Sequence, residues 1–151
     1  MKLLPLSFAL LTACAPPEPD FRSSYGTAVY LNGHQQFTRP LVDSMEEALV
    51  QGLSRVTGYE DSAALTRCVA AMKVEVFDLE VIAATNPQTR PAGLQFDSYL
   101  QVGAYECPRE SAYLHEAAHW LQQCATYTYD PNHTLEPGVW LTVNMLPSGC
   151  L

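Results

Sequence analysis

The sequence predicts an α+β fold in a single domain, with a short antiparallel sheet packed on helices and held by disulfides. The chain has 151 residues, the usual size of one domain, and its 48% hydrophobic and 16% charged residues suffice for a core. Segments of alternating apolar residues stand beside segments with helical spacing, which indicates both strands and helices. The chain also contains five cysteines, and small exported domains use cysteines in disulfides.

The first half of the domain is predicted to hold one strand and two helices. Residues 27–31 (Thr-Ala-Val-Tyr-Leu) are a β-prone run. Asp43 is a suitable N-cap residue with Glu46 three positions later, so a helix is predicted from there to near Gly58. A second short helix is predicted over residues 62–72. The apolar face of the first helix would consist of Met45, Ala48, Leu49 and Leu53.

Two strands separated by a loop are predicted in the middle of the chain. In residues 73–82 the alternation slips at Phe77-Asp78, which predicts a strand with a bulge or bend. Residues 85–93 contain two prolines, an asparagine and a glycine and are predicted to be a loop. Residues 94–102 alternate cleanly, as is typical of a half-exposed antiparallel strand. The apolar face of that strand would consist of Leu94, Phe96, Leu100 and Val102.

The last part of the chain is predicted to contain one helix and an irregular tail. Pro108 suits the first turn of a helix, and Glu110 favours the positive end of the helix dipole. The helix is therefore predicted to run from there to about Gln123. Residues 126–151 contain three prolines and two glycines, so we expect mostly irregular structure, anchored by Cys150.

The first fourteen residues have the pattern of an export leader. Lys2 supplies a positive charge, an apolar run follows, and small residues precede Cys14. The stretch Leu-Thr-Ala-Cys that ends at Cys14 resembles the bacterial lipobox. This resemblance implies a lipoprotein signal peptide at residues 1–13, lipid attachment to Cys14 and a lipidated tether at residues 14–24. An ordinary signal peptide with an incidental cysteine is the alternative.

The expected location is the bacterial cell envelope, with the chain anchored to a membrane by its lipid, in the outer membrane or on the periplasmic face. No apolar run is long enough to span a bilayer. The formal net charge is −8 and becomes −9 when Lys2 leaves with the leader. So few Lys and Arg residues give no electrostatic footprint for phosphate backbones, which excludes nucleic acid as a partner. We expect a monomer.

Four cysteines remain once Cys14 is assigned to lipid. An even number in an exported domain predicts two disulfides, whose pairing the sequence leaves open. Four thiolates around zinc would be the alternative, but such sites usually need close Cys-x-x-Cys pairs, and the sequence has none. The four cysteines are Cys68, Cys107, Cys124 and Cys150.

The strongest chemical pattern is His-Glu-x-x-His at residues 115–119. Residues four apart project from the same face of a helix, so His115 and His119 can converge on one metal ion. A catalytic zinc ion takes a third protein ligand and leaves one position for water. Glu116 would then be the catalytic general base, which takes a proton from that water and returns it to the leaving amine.

With this motif the chain resembles zincin-type zinc metallopeptidases and, more loosely, small bacterial lipoproteins that carry such a helix. The resemblance covers residues 94–140. It implies a zincin-like metallopeptidase domain at residues 25–151, with one Zn²⁺ as cofactor and a peptide or protein as substrate. It also implies that the strand at residues 94–102 lies above the cleft and pairs with extended substrate. The metzincin pattern is excluded, because no third histidine closely follows His119.

The third zinc ligand is predicted to be His133, with Glu136 and Asp130 as the alternatives. His133 ends an Asp-Pro-Asn-His turn that can curl back under the metal helix, and the segment is similar to those of the lipoproteins above. Glu136 lies at a distance behind His119 that resembles the gluzincin pattern. If His133 binds the metal, either acidic residue could accept a hydrogen bond from its ring.

Two other functions are compatible with the sequence. The first is a non-catalytic zinc-binding envelope lipoprotein, a scaffold or an inhibitor, in which zinc would be closed by four protein ligands. The second is a structural lipoprotein without metal, which requires the His-Glu-x-x-His pattern to be accidental. Tyr127 and Tyr129 could stabilise an oxyanion, but packing is the simpler expectation, and Trp120 and Trp140 are expected in the core.

Overall fold

The computed structural model describes residues 17–104 and 112–146. In these ranges five strands and five helices form a mixed α and β fold, so the predicted class is confirmed. Its elements are β1 (Phe21–Arg22), β2 (Ala28–Tyr30), α1 (Arg39–Leu53), α2 (Ser62–Ala70), β3 (Lys73–Asp78), α3 (Leu79–Ala83), β4 (Gly93–Phe96), β5 (Tyr99–Ala104), α4 (Ala112–Thr126) and α5 (Pro137–Met145).

The strands form one open sheet in the order β1-β2-β3-β5-β4. The outer pairs β1–β2 and β4–β5 are antiparallel, whereas β2–β3 and β3–β5 are parallel. The prediction of an antiparallel sheet is therefore wrong for its centre. Parallel neighbours need long crossover connections, which α1 and α2 provide between β2 and β3, and their helical pattern does not reveal how the strands pair.

The core lies between one face of the sheet and the helices. Because side chains alternate along a strand, Val74, Val76, Leu100 and Val102 point into this core and are fully buried. The other face of the sheet is half-exposed and polar. There the Lys73 ammonium lies 3.0 Å from Glu75 Oε1, and the Tyr99 hydroxyl donates to Glu75 Oε2 at 2.7 Å. Helices α1, α2, α4 and α5 contribute to this core, whereas α3 lies toward the opposite face, where a Cβ on Gly103 would meet Leu79 Cδ1 at 2.8 Å.

Helix α1 begins five residues earlier than predicted. Thr38 is its N-cap, and the Thr38 side chain accepts a hydrogen bond from the Leu41 amide. Asp43 lies inside the helix and instead accepts hydrogen bonds at 2.7 Å from the Ser24 amide and hydroxyl. The helix ends at Leu53 rather than near Gly58. The predicted apolar face is confirmed: Met45, Leu49 and Leu53 are buried, and Ala48 is half-buried.

Two predicted strands are divided in the structure. The strand predicted at residues 73–82 ends at Asp78, where the slip in alternation marks the start of α3. Residues 94–102 form two strands, β4 and β5, joined by the tight turn Asp97-Ser98, with Asp97 at a φ of +50°. A two-residue turn leaves the alternation of residue types intact, which is why the sequence shows one strand.

Both ends of the domain are more ordered than predicted. Strand β1 lies inside residues 14–24, the expected tether, so the folded part begins before residue 25. The tail predicted to be irregular contains α5, whose Pro137 occupies the first turn, where a proline is tolerated. The strand predicted at residues 27–31 and the helix at residues 62–72 are confirmed as β2 and α2. The predicted helix end near Gln123 lies at Thr126.

One disulfide joins the helices α2 and α4, through Cys68 and Cys124. The Trp120 indole N–H donates to the Cys68 carbonyl at 2.7 Å and ties the same two helices. Cys107 and Cys150 lie outside the described residues, as do Cys14 and the predicted leader. In the described ranges, no helix has the length and apolarity that crossing a membrane requires.

Candidate metal centre

Helix α4 carries two histidines on the side that faces away from the core. Its other side packs through small and apolar residues, among them Ala117, Ala118 and Leu121, all fully buried. His115 and His119 are half-buried, and their ring centroids lie 5.0 Å apart. The four-residue spacing therefore places both imidazoles on one face of the helix, as the sequence predicts.

The loop between α4 and α5 brings His133 to these two residues. The His133 ring centroid lies 4.8 Å from that of His115 and 5.1 Å from that of His119. The potential ligand atoms of the three side chains all lie within 4.8 Å of one another, close enough to hold a metal ion. Among the described residues, these three are the only group of three or more histidine, cysteine or acidic side chains whose potential ligand atoms lie this close together.

One pair of these imidazoles has the separation expected of two ligands of a tetrahedral metal ion. Two nitrogen ligands at the usual zinc–nitrogen distance of about 2.05 Å are about 3.3 Å apart at the tetrahedral angle. His119 Nε2 and His133 Nε2 lie 3.3 Å apart. The pKa of His119 is lowered to about 4, by burial and then by its neighbours His115 and His133. His119 is therefore neutral at pH 7, the form that binds a metal.

Trp140 of α5 lies against all three imidazoles. Its ring centroid is 4.0 Å from that of His133, 4.5 Å from that of His119 and 5.3 Å from that of His115. The side chain is buried, as predicted for a core residue. Its contact with the histidines could not be foreseen, because the sequence contains no pattern that links residue 140 to residues 115–119.

Asp130, one alternative third ligand, is buried and fully engaged with the backbone. Oδ1 accepts from the Thr134 amide at 2.9 Å, and Oδ2 accepts from the Leu135 and Glu136 amides at 2.9 and 3.2 Å. The Trp140 indole N–H also donates to Oδ2, at 3.2 Å. Burial alone would raise the pKa of Asp130, but these hydrogen bonds outweigh it and lower the pKa.

Glu136, the other alternative, makes its hydrogen bonds to residues other than the histidines. Its carboxylate accepts hydrogen bonds from the Tyr59 hydroxyl and, at 2.6 Å, from Gln122 Nε2. It also lines a groove of about 480 Å³ that includes Arg55 and Leu141. The structure thus brings His133 to the two helix histidines and engages both acidic alternatives elsewhere.

Glu116, the predicted general base, is buried beside His115, with 9% of its surface exposed. Burial raises its pKa to about 7. The backbone of β4 passes directly over it: a Cβ added to Gly93 would lie 2.6 Å from Glu116 Cγ and 2.9 Å from Oε1. β4 is the last strand in the sheet order, so the edge of the sheet lies above the predicted base.

Three residues differ from what the sequence predicts for them: Tyr127, Tyr129 and Gly93. Tyr127 and Tyr129 are 93% and 61% exposed, so the expectation that they pack is wrong. Gly93, which the sequence predicts as part of a loop, begins β4 and lies against Glu116. The available indication was its place at the start of an alternating run, where a glycine can mark close approach of another group.

The comparisons with known proteins add no assignment to this geometry. No protein-family model, no curated protein and no solved structure matches this chain. The functional argument therefore depends on the residues of the site and on how the fold places them.

Proposed function

We propose that this chain is a zinc-dependent metallopeptidase of a minimal zincin type, with His115, His119 and His133 as zinc ligands. Zinc, when bound, supplies a water molecule of lowered pKa and polarises the scissile carbonyl. Glu116 would be the general base, which takes a proton from the attacking water and passes it to the leaving amine. His115, His119 and His133 would hold the ion as three protein ligands, the number that a catalytic zinc site has.

The observation that carries this proposal is that three imidazoles converge, with their potential ligand atoms within 4.8 Å of one another, while the two acidic residues that flank His133 are engaged elsewhere. A structural zinc ion is closed by four protein ligands. The acidic residues that flank His133, Asp130 and Glu136, make hydrogen bonds to other groups. This favours a catalytic site over the alternative of a non-catalytic zinc-binding scaffold or inhibitor.

The position of β4 supports a peptide or protein as the substrate. Within the described residues β4 pairs on one side only, with β5, and its backbone lies over Glu116. An exposed strand edge can pair with an extended peptide through main-chain hydrogen bonds. Such pairing would hold a peptide bond above the histidines. The leader pattern further supports a lipid anchor at Cys14 and a place in the bacterial cell envelope.

The proposal is tested with the disulfide-containing chain from Ala15 onward, loaded with zinc. We expect one zinc per chain in the wild type and in Glu116→Gln, and much less in His133→Ala. Hydrolysis of a peptide library by Glu116→Gln should fall by about 100- to 10,000-fold, because the general base is lost. Glu47→Gln, which changes an exposed glutamate of α1, is the matched control and should keep wild-type activity.

Two results would contradict the proposal in different ways. A folded wild type that binds no zinc would remove the metal centre. A zinc-loaded Glu116→Gln chain that hydrolyses peptides at the wild-type rate would remove the general base. Zinc binding without hydrolysis by the wild type would favour the scaffold or inhibitor instead.

A further inference from the structure

The backbone at the third histidine adopts an unfavourable conformation. His133 has a φ of +59°, in the left-handed region that residues other than glycine rarely enter. Its amide donates to the Asp130 carbonyl at 3.2 Å, which closes a tight turn. A non-glycine residue stays in this region only when surrounding contacts hold it there. Contacts from neighbouring side chains must therefore hold this turn.

The Asp130 carboxylate supplies those contacts. It accepts hydrogen bonds from three consecutive backbone amides, those of Thr134, Leu135 and Glu136, all just after His133. A buried carboxylate that accepts several N–H groups is strongly held in one position, because charged acceptors make the stronger hydrogen bonds. The Asp130 side chain thus links the backbone before His133, to which it belongs, with the three amides that follow His133.

Trp140 connects this turn to the rest of the fold. Its indole N–H donates to Asp130 Oδ2, and its ring lies against the His133 imidazole, at a centroid distance of 4.0 Å. The indole belongs to α5, which is attached to the core through the buried side chains of Val139 and Val143. The contacts run from the core through the indole to the carboxylate and the turn.

We propose that Asp130 is the positioning residue of the metal centre, which holds His133 beside His115 and His119 before any ion binds. This inference rests on the proposed zinc site. Asp130 acts through His133 and does not touch the metal. Because these contacts hold the third imidazole, ion binding does not have to order a loop, and the affinity is higher than a mobile histidine would give.

The test compares metal affinity and coordination in the full disulfide-containing chain. We expect Asp130→Ala and Asp130→Asn to bind Zn²⁺ about 10- to 100-fold more weakly in competition with a chromophoric chelator. Co²⁺ substituted for zinc should lose its intense tetrahedral visible bands in both variants, because His133 is replaced by water. Asparagine keeps the shape of aspartate and one acceptor oxygen. Asp130→Asn should therefore lose less zinc affinity than Asp130→Ala.

The matched control is Asp20→Asn. Asp20 Oδ2 also accepts a backbone N–H, that of Leu31 at 2.7 Å, beside β1 and β2 at the other side of the sheet from β4. Its replacement should lower stability without changing the Co²⁺ spectrum or the zinc affinity. Unfolding midpoints of the metal-free proteins show whether Asp130→Asn and Asp20→Asn are comparably folded.

The outcomes separate this inference from the proposed function. If the wild type binds neither ion, the metal centre is absent and Asp130 has no such role. If the wild type binds and Asp130→Ala binds with equal affinity and an unchanged Co²⁺ spectrum, the metal centre stands and the role of Asp130 is overturned. An equal loss of affinity in Asp20→Asn would also overturn it, because the effect would then be general destabilisation.

Discussion

At the scale of single residues, Gly93 has a role that depends on the absence of a side chain. A Cβ at this position would lie 2.6 Å from Glu116 Cγ, closer than real Cβ contacts allow, so Gly93→Ala should displace the Glu116 side chain. We expect peptide hydrolysis to fall at least about 10-fold, because a misplaced general base loses much of its effect. Zinc content should be unchanged.

Gly138→Ala is the control for this substitution. A Cβ at Gly138 would meet Val56 Cγ1 at 3.5 Å, an ordinary contact, so this variant should keep both zinc and activity. The prediction is tested by measuring the rate of peptide hydrolysis and the zinc content of Gly93→Ala and Gly138→Ala side by side. Full activity in Gly93→Ala would show that Glu116 can move away without consequence.

Glu46 is a second residue with a measurable consequence. It is fully buried, and its Oε1 accepts from the Tyr113 hydroxyl at 2.6 Å. Burial raises its pKa in the folded protein, although the hydroxyls of Ser23, Thr27 and Tyr113 lower it in part. The folded chain therefore keeps a proton over a pH range in which the unfolded chain has lost it. Stability should fall as the pH rises through this range and level off above the folded pKa.

Glu46→Gln removes this ionisation while its side-chain oxygen can still accept from Tyr113. We expect the variant to resemble the wild type at pH 4, to be more stable at pH 8 and to show a flatter dependence between the two. Urea unfolding of the metal-free proteins at several pH values measures this difference. Parallel stability curves for the two proteins would contradict a buried, titrating Glu46.

At the scale of elements, helix α4, which carries His115 and His119, is joined covalently to α2. The Cys68–Cys124 disulfide closes a loop with a sequence separation of 56 residues. Closing a loop of that length restricts the unfolded chain and stabilises the fold by about 4 kcal/mol in the chain-entropy model. The double substitution Cys68→Ala and Cys124→Ala should therefore lower the free energy of unfolding by about 2–5 kcal/mol in urea titrations.

A folded variant of this kind separates stability from metal binding. Zinc affinity should change much less than stability, because α4 still places His115 and His119 on one face and Asp130 still holds the turn at His133. If affinity falls in proportion to stability, the disulfide helps to position the metal helix. Thiol counting on the wild type also tests the pair Cys107 and Cys150, which stays a prediction.

At the scale of the whole molecule, the proposed lipid site is separated from the described chain by only two residues. The described chain begins at Pro17, whose carbonyl accepts from the Tyr30 hydroxyl at 3.3 Å. Two residues separate Pro17 from Cys14, so their Cα atoms can be at most about 11 Å apart. A lipid on Cys14 would therefore hold the domain near the membrane surface.

Cys14→Ala tests the anchor in a bacterial host. We expect the wild type in the membrane fraction, with a mass increase from attached acyl chains, because several chains bind a bilayer firmly. The variant should appear in the soluble fraction, and Ala15→Ser should behave like the wild type. A wild type of unmodified mass would show that the leader is an ordinary signal peptide or is not cleaved.

The hairpin β4–β5 shows how far sequence patterns reach at this scale. The sequence predicts one apolar face because alternate residues of a single strand lie on the same side. The even-numbered residues of that face are Leu94, Phe96, Leu100 and Val102. The Asp97-Ser98 turn changes that relation, because Phe96 pairs with Tyr99 and not with an even-numbered residue. Leu94 and Phe96 therefore lie on the half-exposed face, and Leu100 and Val102 in the core.

The sequence by itself determined the α+β class, most helix faces and the pairing of His115 with His119. These features depend on neighbours within one or two turns, so their periodicity can be read directly. Only the tertiary structure decided the strand pairing, the approach of His133, the engagement of Asp130 and the contact of Gly93 with Glu116. Each of these depends on how a loop closes or two elements meet across long chain separations, which local patterns do not encode.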